Sequence, residues 1–519
     1  MSESGLKKFG GLGHVKLDAN YDAGKTKNLD LIQRRNKHFA GSFLFYHDPI
    51  HLVRGKGAHL FDDTGRRYVD FYNNVPVVGH ANPKVVKAIA DQASKLNTHT
   101  RYLHENVIEL AEEVASTLPG DLDVCLFTCT GTEAAELAMR IARVVTGNKG
   151  AVVMENSYHG NSKLVGEMST ATYPTSEQPP HIQTVAAPNT YRGPFREGVG
   201  ENDSNLGAQY ADLLDPAIDR LQNNGEGLAA FVCDMIFDSQ GALDAPEGYF
   251  QHAYRKVRAA GGLCIADEVQ AGVGRTGTYW GFEQHDVVPD IVFTGKPFGN
   301  GHPIAAVFTT RAIADLWAKS DVYFNTFGGN PVSAAAAKAV FDIIKQDKIL
   351  DHVNAMSAYL RQGLERLQQK HSIIGKIQGK GLFIGVDLVK DRKTREPASD
   401  VGRLLPDTMK EQGVMIGLSG PGGNVLKFRP PLVITKSDID EALAAFDRVL
   451  SQLENPQARV DIAAVNRISD GLVSERMLVE MAAARQTLLS VAPGVVITPL
   501  AREKARELGI AIERENLSF

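Results

Sequence analysis

Cysteine is scarce in this chain: Cys125, Cys129, Cys233 and Cys264 are the only four among 519 residues. Three lie in apolar runs and none has paired metal-ligand spacing, so neither a zinc site nor a disulfide framework is expected. The set reads as core thiols of a reducing compartment. An excess of charge of one sign is also missing. A net charge of −5 offers no broad attraction for nucleic acid or an anionic membrane. No apolar stretch is long enough to span a bilayer. Met1-Ser2-Glu3-Ser4-Gly5 has no apolar core after a basic start, so it does not read as a secretory signal, and a cytoplasmic location is the expectation. No internal repeat or low-complexity block is evident. What remains is the composition of a soluble globular protein, 43% hydrophobic and 23% charged, and too long for one small domain.

From about 105 to 310, helical patterns alternate with short apolar runs at 123–128, 150–154, 229–236, 262–266, 290–294 and 304–309. The helices fit 132–146, 209–223 and 249–260. This alternation predicts an α/β fold with a mostly parallel sheet covered by helices on both faces. Residues 161–206 are rich in Pro, Thr, Ser, Asn and Gly and read as a surface excursion. Asp63-Thr64-Gly65 predicts a hairpin. The expected organisation is an N-terminal segment (1–75) joining a small domain, a large domain (76–345), the small α/β domain (346–452) and a helical extension (456–519). In the extension Val473, Met477, Leu478, Met481, Leu488 and Leu489 have helical spacing. Thr498 then caps a helix with Pro499 at its first position, and Gly509 ends it.

The chemistry gathers at strand ends. Ile265-Ala266-Asp267-Glu268 closes one apolar run and Phe293-Thr294-Gly295-Lys296 the next. An acid at one strand end and a lysine at the following one is the arrangement that pyridoxal phosphate requires: the amine condenses with its aldehyde and the carboxylate keeps its ring nitrogen protonated. Thr128-Cys129-Thr130-Gly131-Thr132 follows a strand and opens a helix, which suits a phosphate and equally suits a plain threonine cap. Tyr158-His159-Gly160 follows the strand at 150–154 and supplies an aromatic face. Each motif has an ordinary structural reading. Their joint order, each at its own strand end, is what points to a ligand site.

These motifs, with Asp267-Glu268-Val269-Gln270-Ala271-Gly272-Val273-Gly274-Arg275-Thr276-Gly277 and Thr326-Phe327-Gly328-Gly329-Asn330-Pro331, resemble those of class III aminotransferases, pyridoxal-phosphate enzymes of fold type I, over residues 45–450. The resemblance implies a homodimer with active sites at the subunit interface. It implies Gly131 and Thr132 on the cofactor phosphate, Tyr158 over the ring and Asp267 on the ring nitrogen. Val269 would lie behind the ring, Gln270 near the phenolic oxygen, and Lys296 would be the covalent anchor. Thr326 would reach the phosphate from the neighbouring subunit. The segments 295–303 and 97–104 are similar to those of the family's phosphoethanolamine and phosphohydroxylysine phospho-lyases.

Two departures bear on substrate. Lys427 stands where many members carry a carboxylate-gripping arginine, with Arg429 two residues on and on the same side of a strand. Ser239 aligns with the gate glutamate of glutamate-using members. Lys427, Arg429 and Arg101 are therefore candidates for a substrate phosphate; Arg101 reads equally as a structural ion-pair partner. The expectation is a phospho-lyase acting on an amino-alcohol phosphate, or else an ω-amine or β-amino-acid transaminase using pyruvate or glyoxylate. Dimers or dimers of dimers are expected. Residues 495–510 resemble segments of bacterial microcompartment-associated enzymes. Two readings of the tail stay open: docking to a shell or partner enzyme, and packing on its own dimer.

Overall fold

The computed structural model describes residues 28–39, 44–173, 178–198, 205–454, 466–468, 472–483, 488–491 and 495–514. The expected apolar runs form one seven-stranded sheet built from β1 (Val124–Thr128), β2 (Gly150–Met154), β3 (Ile182–Val185), β4 (Leu228–Asp234), β5 (Leu263–Asp267), β6 (Ile291–Thr294) and β7 (Ala305–Thr309). The order is β1-β7-β6-β5-β4-β2-β3. β7 runs antiparallel to β1 and β6, and the other pairings are parallel. Six strands therefore end on the same edge, which brings Thr128, Asp234, Asp267 and Thr294 to one rim. β3 lies inside the expected surface excursion; its Gln183 and Thr184 hide the strand pattern, and as an edge strand it tolerates them.

Strands covered on both faces must be apolar throughout, and β2, β6 and β7 are buried at every position. Helix α1 (Gly131–Thr146) lies over this sheet with Ala134, Ala135, Leu137, Ala138, Ile141 and Ala142 in a core shared with Val153, Val232, Ile265, Phe293 and Val307. Small alanines let the helix approach closely, so its first turn is held firmly at the rim.

Two further sheets belong to the same compact unit, Leu52–Leu443. The predicted hairpin pairs His59–Asp62 with Arg67–Asp70. Its turn is tied by Asp62, whose carboxylate accepts from Thr64 N, Thr64 Oγ1 and Arg66 N. An antiparallel sheet orders Ile374–Lys380, Phe383–Asp391, Val425–Phe428 and Gly417–Ser419. Only Cys233 and Cys264 are buried thiols; Cys125 and Cys129 are partly exposed, which corrects the reading of all four as core residues.

The described residues of the second unit include most of the tail, which is α/β, not helical. The helical spacing over 473–490 yields a helix only over Glu475–Ala483, and Leu488–Val491 form a strand. The tail also carries a repeat that the sequence reading missed: short strand, short strand, helix, twice. Asn466–Ile468 pair in parallel with Leu489–Val491, and Leu472–Val473 with Val496–Ile497, a spacing of 23–24 residues. Ser474 and Thr498 cap the two helices at equivalent places, accepting from Met477 N and Ala501 N. Identity conceals this because a methionine in one copy corresponds to an alanine in the other, as with Met481 and Ala505, both buried in the tail's own core. Thr498→Ala is expected to cost about 1 kcal/mol, read as faster amide exchange through Pro499–Leu508 with unchanged exchange in β4–β6.

Candidate active site

The first turn of α1 is a capping box. Thr130 Oγ1 accepts from Glu133 N, and Glu133 Oε2 accepts from Cys129 N and Thr130 N. An α-helix leaves its first N–H groups without intrahelical partners. With those of Cys129, Thr130 and Glu133 used, the ones at Gly131 and Thr132 remain for an anion, at the positive end of the helix dipole.

Three loops converge on that turn. A Cβ added at Gly295 would lie 3.0 Å from Gly131 Cα, and one at Gly160, where φ is 149°, would lie 2.8 Å from Thr132 Oγ1. A Cβ at Gly131 would meet Val269 Cγ2 at 3.2 Å. A side chain at any of the three would crowd its neighbour, and these approaches bring the residue before Lys296 and the residue after His159 against the turn at Gly131–Thr132. Asp267 is buried at the end of β5. Its Oδ1 accepts from Val269 N at 2.9 Å and its Oδ2 lies 2.7 Å from His159 Nδ1. His159 Nε2 is buried without a protein partner among the described residues. His159 was quoted in the sequence motif but given no role there. Its tie to Asp267 needs residues 108 positions apart and has no local sequence signal.

Lys296 is exposed to solvent. Its surroundings still remove enough water to push its ammonium pKa down, with Arg429 adding to the effect; Asp267, Asp238 and Asp234 oppose it. Asp234 stands opposite Asp267 in the β4–β5 register. Burial, reinforced by Asp267, pushes its carboxyl up to about 8. Tyr158 is half-buried at the rim, and desolvation raises its phenol. Its neighbour Thr132 donates to Asn161 Oδ1 at 3.2 Å.

Lys427 and Arg429 turn to the same side, as strand alternation requires, and meet a carboxylate the sequence reading had passed over. Lys427 Nζ is 3.0 Å from Asp238 Oδ1, and Arg429 Nη1 is 3.7 Å from Asp238 Oδ2. Burial alone would raise Asp238, but these cations hold it below the ordinary carboxylate range. Ser239, the aligned gate position, is buried beside it. Gln270 links the parts: its Nε2 donates to Asp238 Oδ2 at 2.7 Å, and its Oε1 accepts from Arg429 Nη1 and Asn74 Nδ2, each at 2.7 Å. Asp70 holds the approach to Asn74 by accepting from Tyr72 N and Asn73 N.

Arg101 and Thr326 lie apart from this network, on an exposed apolar surface. Arg101 stacks over Phe324 at 4.1 Å, and His99 stacks on Tyr102 at 5.0 Å. Leu103 is 94% exposed and Phe327 68%. No acidic partner of Arg101 is found among the described residues. Among the same residues there is also no group of three metal-ligating side chains, and no helix long and apolar enough to cross a membrane.

The family model for class III aminotransferases matches residues 46–450. An alanine–glyoxylate aminotransferase 2-like protein of Drosophila melanogaster is 37% identical over 468 residues, 89% of this chain and 94% of its own length. An ethanolamine-phosphate phospho-lyase homologue of Caenorhabditis elegans is 38% identical over 441 residues, 82% of this chain and 94% of its own. Among solved structures, a phospholyase from Arthrobacter in complex with phosphoethanolamine is 41% identical with a TM-score of 0.78, covering 82% of this chain and 100% of that one. The glycine-lined turn, the acid and the lysine fit pyridoxal 5′-phosphate, the cofactor of these enzymes and of this one. The chain, with its strand-end acid and lysine on a fold type I sheet, belongs to the class III aminotransferases and is a pyridoxal-phosphate-dependent enzyme.

Proposed function

We propose that this enzyme is a phospho-lyase acting on a small amino-alcohol phosphate of the phosphoethanolamine or aminopropanol phosphate type. The observation that carries the reading is the convergence of Lys427 and Arg429 on one buried anion near Lys296. An α-carboxylate needs one forked arginine; a phosphate, with roughly −1.5 to −2 charge and three acceptor oxygens, suits two separate cations. The Arthrobacter phospholyase and the Caenorhabditis elegans relative support the same class.

In this proposal Gly131 and Thr132 hold the cofactor phosphate, Tyr158 covers the ring, Val269 backs it and Asp267 balances its ring nitrogen. Gln270 Nε2 has two hydrogens and gives one to Asp238 Oδ2, which leaves the other for the phenolic oxygen. When bound, the cofactor supplies an electron sink. Lys296 takes the proton from the amine-bearing carbon, and Lys427 and Arg429 receive the phosphate that leaves the neighbouring carbon. Phosphoethanolamine and one water then give acetaldehyde, ammonia and inorganic phosphate. The apolar surface around Phe324 and Phe327 suits a second copy of the chain, which would bring its Thr326 and Arg101 to this site. The resemblance of residues 495–510 to microcompartment-associated segments suits enclosure of a volatile aldehyde. The alternative, a transaminase using pyruvate or glyoxylate, is favoured by the name of the Drosophila relative.

Incubation with O-phosphoethanolamine in the absence of any keto acid is expected to release phosphate; no release, with alanine formed once pyruvate is added, selects the transaminase. Gly295→Ala is expected to weaken cofactor binding roughly tenfold or more, read by absorbance titration of the apo-protein with its circular dichroism unchanged. Because burial disfavours the ammonium, Lys296 loses its proton below the 10.5 of an unperturbed lysine. In the window below 10.5 the unfolded chain binds the extra proton, so this group makes the apo-fold more stable as pH rises there. The neutral amine is correspondingly available early. Covalent capture of the cofactor should reach half its plateau rate below pH 10.5, and Asp267→Asn should move that midpoint lower, since Asp267 favours the ammonium.

A further inference from the structure

The anion between the two proposed substrate cations belongs to the protein itself. Asp238, Lys427 and Arg429 are each at most 5% exposed, so two positive charges share one carboxylate away from bulk water. Among the described residues Asp238 is the one hydrogen-bond partner of Lys427 Nζ, which has three hydrogens to donate. The Asp238 backbone is fixed: its N–H donates to Asp234 Oδ2 at 2.7 Å, and its carbonyl accepts from Gly241 N and Ser419 Oγ. Among the described residues its side chain is held only by the two cations and by Gln270 Nε2. Rotation of that side chain would free the cations while the backbone stays in place.

We infer that Asp238 is a specificity-determining residue: a resident carboxylate that occupies the Lys427–Arg429 subsite and yields these cations to a dianionic phosphate but not to a monoanionic carboxylate. The inference rests on the phospho-lyase reading for the identity of the incoming anion. A substrate carboxylate would replace Asp238 like for like, and Asp238, being tethered, competes at high effective concentration. Such an exchange gains nothing. A phosphate brings about twice the charge and enough oxygens for Lys427 and Arg429 together, so it wins. Gln270 contacts both Asp238 and Arg429, so exchange at the subsite is felt at Gln270.

The test uses the holoenzyme, whose cofactor fills the other phosphate site, and measures binding of inorganic phosphate and of acetate by calorimetry. Asp238→Asn keeps the shape and removes the charge. The wild type should bind phosphate much more tightly than acetate. In Asp238→Asn acetate should gain affinity more than phosphate does, lowering the phosphate-to-acetate ratio at least about tenfold, and Asp238→Glu should restore it. An unchanged ratio in an Asp238→Asn protein that retains its cofactor absorbance and melting temperature overturns the inference. Should that variant not fold, a crystal structure of wild-type holoenzyme with inorganic phosphate decides. Lys427 Nζ on a phosphate oxygen with Asp238 turned away supports the exchange; an intact Lys427–Asp238 pair with phosphate bound elsewhere, or not at all, overturns it. Failure of O-phosphoethanolamine to release phosphate, with the ratio falling as expected, would sink the proposed activity and leave the anion exchange standing. Release with an unchanged ratio would do the reverse.

Discussion

Three cations and three carboxylates gather at one site, and its arrangement follows from the need to balance them. An ionised group taken out of water is costly unless an opposite charge or fixed hydrogen bonds replace the solvent. Asp238 answers Lys427 and Arg429, and Asp267 answers Lys296 together with any cationic ring placed over it. Asp234 stands opposite Asp267 in the strand register, and burial together with that neighbour pushes its carboxyl up to about 8. Remove Asp238 and the buried Lys427 loses its one ion-pair partner among the described residues, with little water to replace it. This interdependence explains how two neighbouring cations can be held side by side away from water.

The sheet makes the gathering possible. Six strands run the same way, so their polar ends lie on a single rim while their apolar lengths fill the core. Loops leaving adjacent strands need only a few residues to bring an acid, a lysine and a helix N-terminus together, which is why ligands bind at this edge of open α/β sheets. The second sheet contributes Lys427 and Arg429 from one strand and its exit. The hairpin segment contributes Asn74 through the turn that Asp70 ties.

Much of this was legible in residue order. The apolar runs ending in Thr128, Asp267 and Thr294 mark strands by composition and length. The alternation of Lys427 and Arg429 puts both on one side, and the structure bears this out. Other features were not legible. β3 is masked by polar edge positions, the tail's repeat by unlike residues in equivalent places, and Leu488–Val491 by leucines that fit a helical wheel as well as a strand. Ser239 aligns with the gate position, but the carboxylate that meets the cations is its neighbour Asp238, and the direction of a side chain in a tight turn depends on backbone angles that spacing does not report.

The sequence by itself determined the local chemistry: which strands end in an acid or a lysine, which turn can take a phosphate, and that no arginine stands at position 427. Those facts depend on neighbours along the chain, within reach of a strand or a helical turn. Only the tertiary structure decided that His159 braces Asp267 across 108 positions, that Gln270 is claimed by Asn74 and Arg429, and that Asp238 fills the space between two cations. Those pairings are set by burial, where each polar atom must find a partner among whatever groups the fold brings near, regardless of their distance in the sequence.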